Sequence, residues 1–185
     1  MMMRGRACAR WFATEGAMGT KLLTICAASL LVSGCFKEKP RDHSAESAHQ
    51  IHQLLDRWVK AFEARDVAGV MTMYAPGVTA FDVVPPLQYK GAGAYRKDYG
   101  QFFAQFDGPL KVEIADEHLE VSGDLAVDYG LERISGKMKD GTPVDMWIRF
   151  TSEFKRIGGQ WRDIHDHVSV PVDIATGKAN MDLKP

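Results

Sequence analysis

The chain has 185 residues, with 45% hydrophobic and 25% charged side chains, which is an ordinary globular composition. This length suits one domain of roughly 100–150 residues with a short addition. The composition excludes a wholly disordered chain and a polytopic membrane protein. The formal net charge of −1 gives no electrostatic reason to bind nucleic acid, so we expect no nucleic-acid partner.

The N-terminal segment has the pattern of a secretory signal. Lys21 precedes an apolar run from Leu22 to Val32. These eleven residues are too few for a helix to cross a bilayer core roughly 30 Å thick, but they suit the h-region of a signal peptide. The run ends in the sequence VSGC at 32–35, which resembles the processing signal of bacterial lipoproteins. A plain signal peptide or a buried helix is the alternative interpretation.

The lipoprotein resemblance implies a division of the N-terminal region. Residues 1–34 would be a signal peptide, with Met18 as an alternative start, and residues 35–47 a lipidated cysteine with a polar tether. Acyl chains on Cys35 would anchor the protein in the membrane. Since Phe36 rather than Asp follows this cysteine, the resemblance to enterobacterial lipoproteins implies outer-membrane sorting, with the domain facing the periplasm.

Cleavage at this point would change the composition of the chain. Residues 1–34 carry four basic groups and one acidic group, so the remaining 151 residues have 19 basic and 23 acidic side chains and a net charge of −4. They also keep a single cysteine, Cys35, and therefore cannot form an internal disulfide. The hydrophobic core must then stabilise the fold unaided.

Hydrophobic periodicity predicts three helices in the first half of the domain. Apolar residues at spacings of three and four predict a first helix over 45–64. Asp66 is a candidate N-cap for a short second helix, which the sequence APG at 75–77 ends. A third helix is predicted over 92–106.

Strand patterns occupy the rest of the domain. The segment 78–84 is rich in β-formers, and Pro85-Pro86 ends it because proline cannot donate to a strand ladder. Asp140-Gly141 predicts a hairpin turn, and Gly158-Gly159 a second turn. The later strands are predicted at 110–115 with 119–121, at 125–134, at 144–156 and at 161–170.

The element order α-α-β-α-β-β-β-β predicts an α+β domain over 48–171, followed by a C-terminal tail over 172–185. We expect the N-terminal helices to pack on one face of a curved, cone-shaped antiparallel sheet. Such a sheet leaves a cavity between itself and the helices.

Three segments carry a family resemblance: DRWVKAFEARD at 56–66, VTAFD at 78–82 and GGQWRDIHDHVSVP at 158–171. Together with Tyr74-Ala75, they resemble the SnoaL-like and ketosteroid-isomerase-like branch of the nuclear transport factor 2-like (NTF2-like) superfamily, over about 45–171. The resemblance implies a cone-shaped fold that hosts isomerases, dehydratases, hydrolases and non-catalytic modules. It also implies a homodimer formed through the exposed sheet face.

Three positions of the ketosteroid isomerase site carry over by resemblance. The general base falls on Asp82, the oxyanion-hole tyrosine falls on Trp58, and the protonated aspartic acid donor falls near Ser152. Because the tuned acid is replaced, we do not expect classical steroid isomerisation. The flanking residues of Asp82 are apolar, so burial would raise its pKa toward the useful range of a base. A surface or capping role of Asp82 is the alternative.

The sequence His165-Asp166-His167 is a second candidate for chemistry. Strand alternation puts both histidines on one face and Asp166 on the other. Three interpretations are open. The imidazoles could act as acid or base with Asp82 or as donors to a ligand, they could bind a metal with Asp82 or Asp163, or they could bond neighbouring elements.

Aromatic side chains and one arginine could line the cavity. Trp161 shares the histidine face if no bulge intervenes. Arg149 could bind a carboxylate or a carbonyl oxygen, with an ion pair to Glu132 or Glu153 as the alternative. The aromatic residues could instead be plain core. The ligand-binding candidates are Trp58, Tyr74, Tyr89, Tyr99, Phe103, Trp147, Arg149 and Trp161.

These observations predict a periplasm-facing lipoprotein whose domain binds a small hydrophobic molecule. Asp82 with His165 or His167 would carry proton transfer of an isomerase, dehydratase or hydrolase type. No cofactor motif is present, so we expect neither a cofactor nor a metal in the site. The alternative is a non-catalytic ligand carrier or dimerisation module of the same fold.

Overall fold

The computed structural model describes residues 43–185. The predicted signal peptide, Cys35 and most of the tether lie outside the described residues. Among residues 43–185, no helix combines the length and the apolar character that a membrane crossing requires.

The first helix, α1, runs from Ser44 to Glu63 and confirms the helix predicted over 45–64. Its buried apolar side chains are Ile51, Leu54, Trp58 and Phe62, at spacings of three and four. These spacings place the four side chains on one stripe of the helix, which packs against the rest of the domain.

The other two helices are shorter than α1. Helix α2 has one turn, Val67–Val70, and α3 spans Ala92–Phe103. The buried side of α3 carries Tyr95, Tyr99 and Phe103. Two of these buried residues are tyrosines, so α3 brings hydroxyl groups as well as apolar surface to the interior.

Six strands form one sheet. The sheet order is β2-β1-β6-β5-β4-β3, with β1 parallel to β6 and every other neighbouring pair antiparallel. This curved sheet, with the helices N-terminal to most of it, confirms the predicted α+β architecture. The strands are β1 Tyr74–Phe81, β2 Tyr89–Lys90, β3 Phe106–Ser122, β4 Leu125–Met138, β5 Pro143–Ile157 and β6 Gln160–Ser169.

Strand β1 begins four residues earlier than predicted. The sequence Pro76-Gly77, predicted to end the second helix, lies within the strand. The pairing of β1 with β6 shifts register between Tyr74 and Thr79, so the two residues fall in a bulge. The strand then ends at Phe81 and leaves Asp82 at its C-terminal end.

A second bulge bends the β3–β4 hairpin. Its register shifts between Ala115 and His118, and Asp116 adopts a φ of 51°. Gly130 lies opposite, where an added Cβ would stand 3.0 Å from the carbonyl oxygens of Ala115 and Asp116. The small residue at position 130 therefore lets the two strands approach closely at the bend.

Candidate functional site

A cavity of about 220 Å³ lies between the helices and the inner face of the sheet. Apolar side chains form most of its wall, among them Trp58 and Phe62 of α1 and Ile148 of β5. Met181 also lines it, so the segment predicted as a C-terminal tail reaches the cavity. A mostly apolar cavity with a few polar groups is the usual form of a small-molecule site.

Asp82 lines this cavity directly after β1. One of its oxygens accepts a hydrogen bond from the Val84 backbone N–H at 3.3 Å. Burial, with smaller contributions from the nearby carboxyl groups of Asp98 and Asp166, raises the pKa of Asp82 to about 6. Its catalytic role, implied by the family resemblance, stays a prediction.

Three tyrosine hydroxyls form a network around Asp166. Tyr95 Oη lies 2.8 Å from Asp166 Oδ2 and 3.4 Å from Asp82 Oδ2. Tyr74 Oη lies 3.1 Å from Asp166 Oδ2 and 2.6 Å from Tyr99 Oη. Burial raises the pKa of all three hydroxyls well above the ordinary value, so they remain protonated donors. Asp166 and Asp82 are thus joined through one hydroxyl.

The histidines do not reach this network, which corrects the expectation that they face the cavity. His165 places Nδ1 2.8 Å from the carbonyl oxygen of Thr79, and His167 is exposed. The Phe81 ring packs against both imidazoles, with centroid distances of 4.7 and 5.7 Å. Asp166, the residue between them, points inward instead.

A bulge in β6 explains this orientation. His165 pairs with Glu153 and Asp163 pairs with Phe154, so Ile164 has no partner on β5. The extra residue reverses the alternation, and Trp161 and Asp163 become buried on the inner side while the histidines lie outside. Since the two histidines and Asp82 occupy opposite faces, they cannot share a metal. Residues 43–185 contain no group of three side chains placed to hold a metal ion.

The predicted ligand-binding residues divide into three sets. Trp58, Tyr74 and Tyr99 line the cavity. Tyr89, Phe103 and Trp161 are buried but lie outside the lining, with the Tyr89 hydroxyl 2.7 Å from Asp98 Oδ1.

Trp147 and Arg149 lie on the outer face of the sheet, so their prediction as cavity residues is wrong. The inner face of β5 carries the even-numbered Ile148, Phe150 and Ser152, all of which line the cavity. Strand alternation then turns positions 147 and 149 outward.

Two further acidic residues of the cavity were missed in the sequence. Glu132 is 5% exposed. Burial is the main cause that raises its pKa to about 8, and the negative charges of Asp166 and Asp82 add to it. Asp128 is fully buried. Burial is the main cause that raises its pKa to about 7, and the negative charge of Glu117 adds to it. Both alternate with apolar residues on the inner face of β4, and acidic side chains on an otherwise apolar strand face were the available signal.

Residues 51–173 match the model of a SnoaL-like domain, about two thirds of the chain. The chain belongs to the SnoaL-like family. A solved structure of an NTF2-like protein of unknown function from Pseudomonas putida KT2440 is 37% identical, with a TM-score of 0.71. The match covers 77% of this chain and 99% of that one.

More distant structures share the fold of this SnoaL-like domain. An NTF2-like superfamily protein from Salmonella enterica serovar Typhimurium is 17% identical with a TM-score of 0.63, covering 74% of this chain and 99% of that chain. A type 2 hexachlorocyclohexane dehydrochlorinase is 15% identical with a TM-score of 0.60, and the match covers 68% of this chain and 85% of that chain. No curated protein matched the sequence.

We predict that Glu132→Gln stabilises the SnoaL-like domain at alkaline pH. The pKa of Glu132 is 4.5 ordinarily and about 8 in the native state, so its protonated form stabilises the native state fully below about pH 4.5. This contribution is lost as pH rises toward 8, and glutamine removes the dependence. Urea unfolding at pH 5 and pH 8.5 should show a smaller pH difference in the variant than in the wild type.

Glu153→Gln serves as the control, because Glu153 is exposed on the outer face of the sheet. It should leave the pH dependence of the unfolding free energy unchanged. Equal pH dependence in Glu132→Gln and the wild type would contradict the burial of an uncompensated carboxyl group at position 132.

Proposed function

We propose that the SnoaL-like domain binds a small hydrophobic molecule and that Asp82 moves a proton on it, in a reaction of the isomerase, dehydratase or hydrolase type. The observation that supports this most is the convergence of Asp82 and the tyrosine network on one cavity. Tyr95 Oη and Asp82 Oδ2 are 3.4 Å apart there. A base and a donor at this separation can act on adjacent atoms of one substrate.

Asp82 has the properties of a general base. With its pKa raised to about 6, the carboxylate is mostly ionised at neutral pH yet binds a proton more readily than an ordinary aspartate. Its position at the C-terminal end of β1 fixes the backbone beside it. A base held on a strand end loses little freedom when it meets the substrate.

Two donors are available for the charge that develops on the substrate. Trp58 lines the cavity, and its Nε1 has no hydrogen-bond partner among the described residues. The second donor is the Tyr95 hydroxyl, which donates a hydrogen bond to Asp166 in this structure. A donor held in a water-poor cavity stabilises a developing oxyanion more strongly than it would in water. These donors take the place of the acid that the ketosteroid isomerases use.

The distant relatives support a role in elimination only through the fold. A dehydrochlorinase, by its name, removes HCl, and it shares the fold of this domain at 15% identity. The same architecture can therefore hold an elimination site.

Proton abstraction can be tested with 5-nitrobenzisoxazole, a small flat apolar probe. A base takes its ring C–H proton, the N–O bond breaks, and a coloured cyanophenolate forms. We expect the full-length chain to accelerate this reaction, with a rate that rises with pH through about 6 as Asp82 ionises. Asp82→Asn should lower the rate by about 100-fold or more, the usual contribution of a general base.

His167→Ala is the matched control, because His167 lies on the outer face and should leave the rate unchanged. A rate insensitive to Asp82→Asn, or one that His167→Ala abolishes, would contradict the assignment of Asp82 as the base.

A non-catalytic module is the second candidate, supported by the outer face of the sheet. Phe81, His167, Thr151 and Tyr129 pair in one row across four strands. The residues Phe81 and Tyr129 are 39% and 43% exposed. Exposed aromatic residues on a sheet face are typical of interfaces, so we propose that this face forms a homodimer.

Analytical ultracentrifugation of the full-length chain would test the dimer. We expect dimers for the wild type and a shift toward monomer in Tyr129→Asp, because a carboxylate would be buried without a partner. Leu87→Asp changes a residue that is 92% exposed in the loop after β1 and should leave the dimer intact. A monomeric wild type, or equal effects of the two variants, would contradict the proposed interface.

The cellular position of the protein is also a proposal. We propose that Cys35 carries a lipid that anchors the protein in the outer membrane, with the domain in the periplasm. The apolar run before the VSGC sequence at 32–35 supports this. In a bacterial host fed labelled palmitate, Cys35→Ala should abolish labelling of the chain, while Cys26→Ala within the apolar run should retain it. Labelling that survives Cys35→Ala would contradict the anchor.

A further inference from the structure

In the described part of the chain, the cavity is lined by acidic side chains without basic ones. No lysine, arginine or histidine among residues 43–185 lines it. Residues 35–185 contain 19 basic and 23 acidic side chains, so a wall with acidic residues alone does not reflect the average composition. The acidic residues that line the cavity are Asp82, Asp98, Glu117, Asp128, Glu132 and Asp166.

Most of these carboxyl groups are already satisfied or lie near water. Asp166 accepts hydrogen bonds from Tyr74 and Tyr95, Asp98 lies 2.7 Å from the Tyr89 hydroxyl, and Glu117 is exposed. These groups need no ligand. They still contribute negative charge to the space that a ligand would occupy.

Glu132 is different. The residue is 5% exposed and lines the cavity, yet its Oε1 has no hydrogen-bond partner in the described part of the chain. Asp128, on the same face of β4, is fully buried, and neither of its oxygens accepts a well-formed hydrogen bond. A buried polar atom without a partner costs roughly 1–3 kcal/mol, and more when it is charged. Such an atom beside a cavity indicates that the ligand supplies the missing group.

The surrounding charges decide which group this is. A neutral hydroxyl could satisfy Glu132 alone, but it would do nothing for the repulsion among the carboxyl groups. Asp166 and Asp82 both raise the pKa of Glu132, which reports that repulsion. A positive charge at Glu132 would attract all of these groups at once. Residues 43–185 contain no group of three or more His, Cys, Asp or Glu side chains placed to hold a metal ion, and the mostly apolar wall favours an organic cation.

We propose that the cavity selects an apolar molecule that carries a protonated amine, with the ammonium group bound by Glu132 and the apolar part against Trp58 and Phe62. The proposal rests on the proposed function only in using the same cavity, and it does not depend on Asp82 acting as a base. Trp58 and the cavity tyrosines add aromatic faces, which also attract cations. Asp128 strengthens the negative potential without touching the ammonium.

Three probes of similar shape separate the charge from the apolar contact: 2-phenylethylamine, 2-phenylethanol and 3-phenylpropionate. Isothermal titration calorimetry with the full-length chain should give the amine an affinity at least about tenfold above that of the alcohol, with little or no binding of the carboxylate. Binding of the amine should also release protons, because the ammonium ion lowers the pKa of Glu132. Its affinity should therefore rise between pH 6 and pH 8.

Glu132→Gln should remove the preference: amine affinity falls about tenfold or more, while alcohol affinity changes little. Asp128→Asn should lower the amine affinity by a smaller factor. This variant gives an independent measurement if Glu132→Gln folds poorly. Glu153→Gln, on the outer face, should bind all three probes as the wild type does.

The results separate the selection for a cation from the proposed function. Equal binding of the amine and the alcohol, or tighter binding of the carboxylate, would overturn the selection for a cation while leaving a hydrophobic ligand site intact. Amine binding that survives Glu132→Gln and Asp128→Asn unchanged would also overturn it. Failure of all three probes to bind would contradict the proposed function as well, because the cavity would then not take a small apolar ligand.

Discussion

The cost of moving carboxyl groups out of water governs the behaviour of this domain. An isolated carboxylate in an apolar interior is unfavourable by far more than one hydrogen bond can repay, so such groups take up protons or find donors. Asp166 finds donors in Tyr74 and Tyr95. Glu132 has no such donor at Oε1, and burial raises its pKa to about 8. The burial of these side chains between the helices and the sheet therefore also sets the protonation of the cavity acids.

The cavity wall varies from its loop end to its interior. Asp82 is half-buried next to an exposed loop, and its pKa is raised to about 6. Glu132 is almost completely buried on β4, between β3 and β5, and has the higher pKa. One cavity thus holds an acid that is ionised at neutral pH and an acid that is mostly protonated. Pairs of carboxyl groups whose environments separate their pKa values are typical of sites that carry proton transfer or bind charged ligands.

Sequence patterns predicted the elements well and the faces of the strands less well. The spacing of Ile51, Leu54, Trp58 and Phe62 defines α1, because helical periodicity survives small errors at the ends. Strand alternation fails after a single extra residue. The bulge at Ile164 reversed the faces expected in β6, so Asp166 rather than the histidines enters the cavity. Nothing in the local sequence marks this bulge, since it arises from pairing with β5.

The position of Asp82 came from family resemblance, and the roles of Glu132 and Asp128 required the three-dimensional structure. A free carboxyl oxygen is visible only when every neighbouring strand and helix is in place, because any of them could have supplied a donor. The parallel pairing of β1 with β6 also became visible only in the three-dimensional structure. It joins the first and last strands of the domain, and contacts so distant in sequence leave no local pattern.

The protonation of Glu132 at neutral pH is the most direct test of this account. Infrared difference spectroscopy of the full-length chain and Glu132→Gln at pH 7 would compare the carbonyl stretch of protonated carboxylic acids. We expect a protonated-acid band in the wild type that the variant lacks and that fades as the pH rises above about 8. A wild-type spectrum without this band, or identical spectra from the two proteins, would contradict it.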